Sequence, residues 1–195
     1  MSLNRENSIH SLSDNKIENH FGIKIQEIAF SNKINIRINP KSHHMSICGK
    51  ILDALLPLKP NTYLENQSVK IIWLGPDEWI VLDNSKNFND NLFKELNTQI
   101  GDYEASVTDI TETKTIIRIS GEKIYTLLSK FLVLDLENNF KTESSCAQTL
   151  FVKVPIILLK NHKNSNIPEI DIIVNRSHAK YIYDLLVDGS QNLNF

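Results

Sequence analysis

Residues 35–42 read NIRINPKS, and residues 116–123 read IIRISGEK. Isoleucines alternate with polar residues in the first stretch, which is the pattern of a β-strand that buries one face. Ile36-Arg37-Ile38 and Ile117-Arg118-Ile119 lie 81 positions apart, and each precedes a run with helical spacing of apolar residues. The two stretches therefore predict an internal repeat in which a strand leads into a helix.

The segments around these stretches follow one order of strands and helices. Apolar residues at a spacing of 3.6 predict helices after Ser42, from Phe88 to Ile100, after Gly121 and from Ala179 to about Gly189. Shorter apolar runs predict strands at 23–28, 34–38, 69–74, 79–83, 107–110, 115–119, 148–159 and 171–174. Gly75-Pro76-Asp77 suits a tight turn between two of these strands.

We therefore predict an α+β protein of two related β-β-α-β-β-α halves, with helices packed on mainly antiparallel sheets. The first half spans 21–103 and the second spans 104–188. Residues 1–20 are expected to form a flexible arm, since they offer little apolar surface to bury. Residues 189–195 are expected to form a C-terminal tail.

Composition excludes several function classes. The 195 residues include 21 basic and 23 acidic side chains, so there is no positive excess to attract nucleic acid. The longest apolar run, Val154–Leu159, is far shorter than the ~20 residues of a membrane helix. The polar N-terminus lacks the apolar core of a secretory signal, so we expect a cytoplasmic protein.

The glycines argue against a nucleotide site in this chain. A phosphate-binding loop needs closely spaced glycines, because its backbone must approach the phosphate in conformations that side chains disfavour. The six glycines lie at least 20 positions apart, so neither a G-x-G-x-x-G fingerprint nor a P-loop is present. We expect no cofactor-binding residue here.

Metal and acid–base sites are not predicted either. His44 and Cys48 share a helix face at i and i+4, but Cys48 lies on the core stripe, and His43 and His44 fall in a first turn expected to be exposed. No C-x-x-C motif completes a zinc set. The carboxylates form no distinctive pair, so no catalytic residue is assigned.

Cys146, in KTESSCAQTLF, is interpreted as a cysteine packed under the sheet at a strand start. A thiol enzyme that uses Cys146 remains an open alternative, because a nearby base or cation would activate the thiol.

Four aromatic residues are candidates for interface anchors. Trp73 and Trp79 bracket the turn in WLGPDEW, while Tyr181 and Tyr183 lie near the apolar stripe of the last helix. Tryptophan is enriched at the energetic centres of interfaces. The alternative for the two tryptophans is packing in the core.

Four segments together resemble the gamma subunit of heterotetrameric sarcosine oxidase. They are WLGPDEWIVL (73–82), VTDITETKTIIRISGEKIYTLLSKFLVLDL (107–136), CAQTLFVKVPIILL (146–159) and DIIVNRSHAKYIYDLL (171–186). The stretch from Asp109 through Gly121 is also similar to the D-x-S…G-x-x-A-x-x-x-L opening of the folate-binding aminomethyltransferase superfamily. Thr111 stands where that motif has serine, and Tyr125 stands near its small residue.

The resemblance implies a fold like the folate-binding aminomethyltransferase domain and a role inside a complex. In that family the assembled enzyme oxidises sarcosine to glycine. Larger alpha and beta subunits hold FAD, FMN, NAD and tetrahydrofolate, and a small delta subunit holds zinc. The gamma subunit is not known to supply catalytic groups, so the resemblance implies a structural, assembly role.

A stand-alone folate-binding protein or aminomethyl carrier of the same superfamily is the alternative of a different class. The K-G-C-Y-x-G-Q-E motif of folate-dependent iron–sulfur assembly proteins is absent, which disfavours it.

Overall fold

The computed structural model describes residues 7–9, 18–20, 22–28, 31–83, 91–101, 104–161, 166–191 and 193. In chain order its elements are β1 (Glu18–His20), β2 (Ile23–Glu27), β3 (Lys33–Ile38), α1 (His44–Leu52), β4 (Tyr63–Glu65), β5 (Val69–Gly75), β6 (Glu78–Asp83), α2 (Asn91–Ile100), β7 (Ala105–Asp109), β8 (Lys114–Ser120), α3 (Ile124–Ser129), α4 (Leu136–Asn139), β9 (Cys146–Phe151), β10 (Val154–Lys160), β11 (Glu169–Asn175) and α5 (Arg176–Gln191). The predicted α+β class is confirmed. Among the described residues, no helix has both the length and the apolar character that crossing a bilayer requires.

The chain forms two compact units. Unit 2 comprises the described residues of 31–112, and unit 1 those of 1–30 and 113–195. The antiparallel sheet of unit 2 has the strand order β4-β5-β6-β3-β7. The alternating isoleucines of β3 point into one core, which they share with Cys48 and Leu52 of α1 and Leu96 of α2.

Unit 1 has an antiparallel sheet with the order β1-β2-β8-β11-β10-β9. Ile117 and Ile119 of β8 face a core that contains Leu127 of α3 and Ile182 and Leu186 of α5. The repeated I-R-I segments therefore occupy corresponding inner strands, β3 and β8, and each of these strands leads toward a helix.

Each half contains one strand more than predicted. The first half has the order β-β-α-β-β-β-α, and the second has the order β-β-α-α-β-β-β-α, because the short helix α4 follows α3. The three-residue strand β4 was too short for its periodicity to be recognised. The single strand predicted at 148–159 is a hairpin, β9–β10, which turns at Val152 and Lys153. Pro155 lies inside β10, just before the first residue that pairs with β11.

The predicted boundary at 103/104 differs from the observed division, because the first strand of each half joins the other unit. Strand β2 precedes β3 in sequence but pairs with β8, and β7 precedes β8 but pairs with β3. Residues 31–112 and 113–195 are therefore the repeating stretches, and 22–28 belong to unit 1.

The described residues of 1–20 and 189–195 do not form the flexible arm and the C-terminal tail that the sequence predicts. The backbone N–H groups of Ser8 and Ile9 donate to the buried Glu27 carboxylate at 2.9 and 3.0 Å, and β1 pairs with β2. Helix α5 continues through Gly189 to Gln191. A Cβ at Gly189 would lie 2.7 Å from Cζ of Phe131, so the absence of a side chain at this position lets α5 pack closely against the Phe131 ring. Residues 1–6 and 10–17 lie outside the described residues.

Candidate functional site

The two tryptophans of WLGPDEW face each other across the hairpin of β5 and β6. They are direct cross-strand partners, and a β-bulge separates Trp73 from Gly75. Trp79 is completely buried in the core of unit 2, and its Nε1 donates a hydrogen bond to the carbonyl of Pro57 at 2.8 Å. Trp79 is therefore a core residue and not a surface anchor, whereas Trp73 is half-buried at the edge of that core.

The two tyrosines of α5 have opposite environments. Residues two apart on a helix point in nearly opposite directions, and Tyr181 is 48% exposed whereas Tyr183 is 5% exposed in the core of unit 1. The prediction that Tyr183 anchors a partner is therefore corrected. For Trp73 and Tyr181 the anchor role stays a prediction.

Other large apolar side chains are exposed at positions for which the sequence predicts no interface role. They are Leu55 and Leu58 in unit 2 and Val133, Leu150, Val152 and Ile167 in unit 1. The 3.6-residue spacing of Cys48, Ile51, Leu52 and Leu55 predicts that Leu55 lies on the buried face of a helix that ends at Pro57, but the helix ends at Leu52 and Leu55 is exposed. Leu58 follows Pro57, beyond the predicted end of that helix. Leu150 and Val152 lie in the stretch 148–159, which the sequence predicts to be one strand. Val133 and Ile167 lie outside every predicted strand and helix.

The tip of the β9–β10 hairpin combines exposure with an unusual backbone. Val152 is in the turn with φ of 58°, a conformation that is rare for a β-branched residue. Its N–H donates to the carbonyl of Phe131 at 2.9 Å, and the ring of Phe131 stacks on Phe151 at 4.8 Å. The hairpin turn is thus fixed to the turn that follows α3, and Val152 is held at the surface.

The arginine of each I-R-I segment pairs with a carboxylate directly across the sheet. Arg37 is opposite Glu78 and lies 2.7 Å from its Oε2. Arg118 is opposite Asp171 and makes two hydrogen bonds to it, at 2.7 and 2.9 Å. Burial raises the pKa of Glu78, but hydrogen bonds from Arg37 and Asn35 outweigh it and hold that pKa below its usual value. These carboxylates are therefore engaged in structural pairs.

Asp109 and Thr111, from the D-x-S-like motif, fasten β3 to the end of β7. The hydroxyl of buried Thr111 accepts from the Lys33 N–H at 2.9 Å and donates to the Lys33 carbonyl at 3.3 Å. The Asp109 carboxylate accepts from the Thr111 N–H at 2.9 Å. In this chain both side chains of the motif are used for local structure.

Replacing Thr111 with valine is expected to lower the free energy of unfolding by about 2 kcal/mol, because the buried Lys33 N–H loses its acceptor. Urea denaturation of the purified chain measures this. Thr111→Ser is the matched control, since it keeps the hydroxyl and should cost less than about 1 kcal/mol. Equal losses for the two variants would contradict the role of the hydroxyl.

The two thiols are poorly suited to catalysis. Cys48 and Cys146 are both free and buried, and burial raises the pKa of each thiol to about 12. A reactive cysteine needs a lowered pKa, because the thiolate is the nucleophile. Two histidines, His162 and His178, could act as a base for Cys146 only if the fold brought them close to it. His162 lies outside the described residues.

We expect the native protein to be unreactive toward a thiol-specific disulfide reagent at neutral pH, and both cysteines to react once the chain is unfolded in guanidinium. Absorbance of the released thiolate reports the number of reacting cysteines. Rapid modification of Cys146 in the folded chain would contradict this expectation and support the thiol-enzyme alternative.

The histidine pair has a different environment from the one predicted. His44 is buried, not exposed, and its ring centroid lies 4.0 Å from that of His43. In the described part of the chain, no group of three or more histidine, cysteine, aspartate or glutamate side chains is placed to hold a metal ion.

Two open clefts have volumes in the range of small-molecule sites. One, of about 420 Å³, is lined by Arg37, Asp77 and Glu104 in unit 2. The other, of about 310 Å³, is lined by Asp135 and Glu137 in unit 1. Acidic groups outnumber basic ones in both linings, which disfavours a ligand that carries carboxylates, as folates do.

Comparison with known proteins gives consistent matches. The model of the "Sarcosine oxidase, gamma subunit family" matches residues 48–192. Sarcosine oxidase subunit gamma from Corynebacterium sp. (strain P-1) is 22% identical over 144 residues, which cover 73% of this chain and 70% of that protein. The subunit gamma from Arthrobacter sp. matches with the same identity and coverage.

A solved structure extends the likeness to the fold. A chain of the heterotetrameric sarcosine oxidase from Corynebacterium sp. U-96, in complex with pyrrole 2-carboxylate, superposes with a TM-score of 0.78 at 18% identity. The superposition covers 93% of this chain and 90% of that one. Since the family model spans well over half of the sequence, the chain belongs to the sarcosine oxidase gamma subunit family.

Proposed function

We propose that this chain is the gamma subunit of a heterotetrameric, flavin-dependent sarcosine oxidase in the cytoplasm, and that it serves assembly and not catalysis. The observation that carries the proposal is the family match over residues 48–192. The fold, which is like that of a chain in a solved heterotetramer, supports it. The complex oxidatively demethylates sarcosine to glycine.

The proposed partners are larger alpha and beta subunits and a small delta subunit. Those chains hold the FAD, FMN, NAD, tetrahydrofolate and zinc. The contacts of this chain support a non-catalytic role. The carboxylates of Glu78, Asp171 and Glu27 are hydrogen-bonded within the fold. Both thiols are buried and have raised pKa values. The exposed apolar side chains offer surface for docking.

Purification of a tagged copy from its native cells tests the assembly role. We expect it to co-purify with larger flavin-bearing chains in a complex that oxidises sarcosine. In that complex, Asp77→Asn and Glu104→Gln, which alter carboxylates of the larger cleft, should leave kcat per bound flavin unchanged. A large loss of kcat at normal assembly would contradict the non-catalytic role.

Calorimetry of the isolated chain with tetrahydrofolate tests the alternative function. We expect no binding heat. Micromolar binding, together with failure to co-purify with flavin-bearing chains, would favour a stand-alone folate-binding protein.

A further inference from the structure

We infer that the tip of the β9–β10 hairpin docks into an apolar pocket with an acidic rim on another subunit of the oxidase. We define the hairpin tip as Leu150, Val152, Lys153 and Pro155, all of which are exposed. Leu150 and Pro155 are direct cross-strand partners, so their side chains lie side by side, and Val152 and Lys153 form the turn between the strands. The inference rests on the proposed function.

The backbone of Val152 is unusual for a hairpin turn. Two-residue hairpin turns favour glycine, asparagine or aspartate where φ is positive, and a β-branched residue is strained there. Val152 nevertheless has φ of 58° and presents its side chain to solvent. Neither stability nor solubility of the isolated chain favours this choice, whereas a binding role explains it.

The corresponding hairpin of unit 2 gives an internal comparison. The sheet orders match β9–β10 of unit 1 to β4–β5 of unit 2. There, the turn contains Asn66, whose side chain accepts from the N–H groups of Ser68 and Val69 and donates to the Leu52 and Asp53 carbonyls. The same place in the repeat is thus polar and self-capped in unit 2 but apolar in unit 1.

The charge of Lys153 indicates the chemistry of the pocket that receives the hairpin tip. Lys153 is exposed and, within the described part of the chain, makes no hydrogen bond or ion pair. A cation beside three apolar side chains is complementary to an apolar pocket that carries carboxylates at its edge. Val133, which is also exposed, lies two residues after the Phe131 that fixes the turn.

Val152→Asn separates docking from stability, because the two predicted effects have opposite signs. Asparagine tolerates positive φ, so the melting temperature of the isolated variant should rise by about 2–4 °C. When equal amounts of tagged variant and wild-type chain are co-expressed with the other subunits of the same oxidase, the variant's share in the purified complex should fall at least tenfold. Quantitative mass spectrometry of the complex measures this share.

Three further variants complete the experiment. Gln67→Ser, at the exposed turn of the corresponding hairpin in unit 2, is the matched control and should be incorporated like wild type. Leu150→Thr keeps strand propensity without altering the turn and should reduce incorporation at an unchanged melting temperature. Lys153→Glu should reduce incorporation most strongly at low salt, where charge repulsion is least screened.

Each outcome bears on the inference in a defined way. Equal incorporation of Val152→Asn and Leu150→Thr with wild type would overturn it. It would also be overturned if the isolated wild type formed a dimer that Val152→Asn abolished without affecting incorporation, because the occupant would then be a second copy. Failure of the wild type itself to enter a flavin-bearing complex would instead contradict the proposed function.

Discussion

Gly121→Ala is expected to lower the free energy of unfolding by about 3–5 kcal/mol, enough to remove much of the stability of an ordinary domain. Gly121 directly follows β8 and has φ of 145°, a conformation that side chains disfavour. A Cβ there would overlap the carbonyl oxygen of Gly22 and lie 3.1 Å from Cα of Ile23. These are backbone atoms beside the β2–β8 pair, so relief requires the sheet to shift.

The measurement is urea denaturation followed by circular dichroism. Gly75→Ala is the matched control, because the nearest atoms to its new Cβ would lie 3.7 and 3.9 Å away and its φ is not positive. We expect that control to stay within about 0.5 kcal/mol of wild type. Equal stability of the two variants would mean that β2 does not approach Gly121 as described.

Local chemistry accounts for the parts of the fold that were predicted well. Alternating isoleucines predicted the inner strand β3, and its repeat predicted β8, because period-two burial is a property of the strand itself. The hairpin of β5 and β6 was predicted within one residue at its turn, because Gly75-Pro76-Asp77 carries its own conformational preference.

The choice of strand partner was not predictable in the same way. Strand β2 has the same alternating pattern whether it pairs with its sequence neighbour β3 or with the distant β8. Pairing is decided by which core buries Ile23 and Ile25, and they join the core of unit 1. Burial of this kind depends on contacts about 90 residues apart, which periodicity within a short window does not report.

The candidate site was only partly predictable for a related reason. Residue type selected the aromatic residues, but burial separates Trp79 and Tyr183, which lie in cores, from Tyr181, which does not. The hairpin tip was missed because Val152 occupies a turn position where sequence rules expect glycine or asparagine. An unusual residue at a turn position, such as Val152, can be recognised only when the position of the turn is known.

Arg118→Met is expected to lower the free energy of unfolding by about 3 kcal/mol, because it leaves a buried carboxylate without its cation. The Asp171 side chain is 4% exposed and receives two hydrogen bonds from Arg118, which also lies 3.4 Å from Glu169. Methionine preserves much of the aliphatic length, so lost packing contributes little. Urea denaturation measures the loss, and Asp171→Asn in the same chain should restore part of it by removing the buried charge.

The repeat supplies the matched control. Arg37→Met breaks the corresponding pair in unit 2, where Arg37 is 60% exposed and Glu78 is 24% exposed. Solvent screens that pair, so its loss should destabilise the chain far less than the loss of the Arg118 pair. Arg37 and Arg118, at corresponding positions of the two sheets, are thus expected to contribute unequally to stability. Burial of the carboxylate, and not the ion pair itself, determines how much stability is lost. Equal losses for Arg37→Met and Arg118→Met would contradict that explanation.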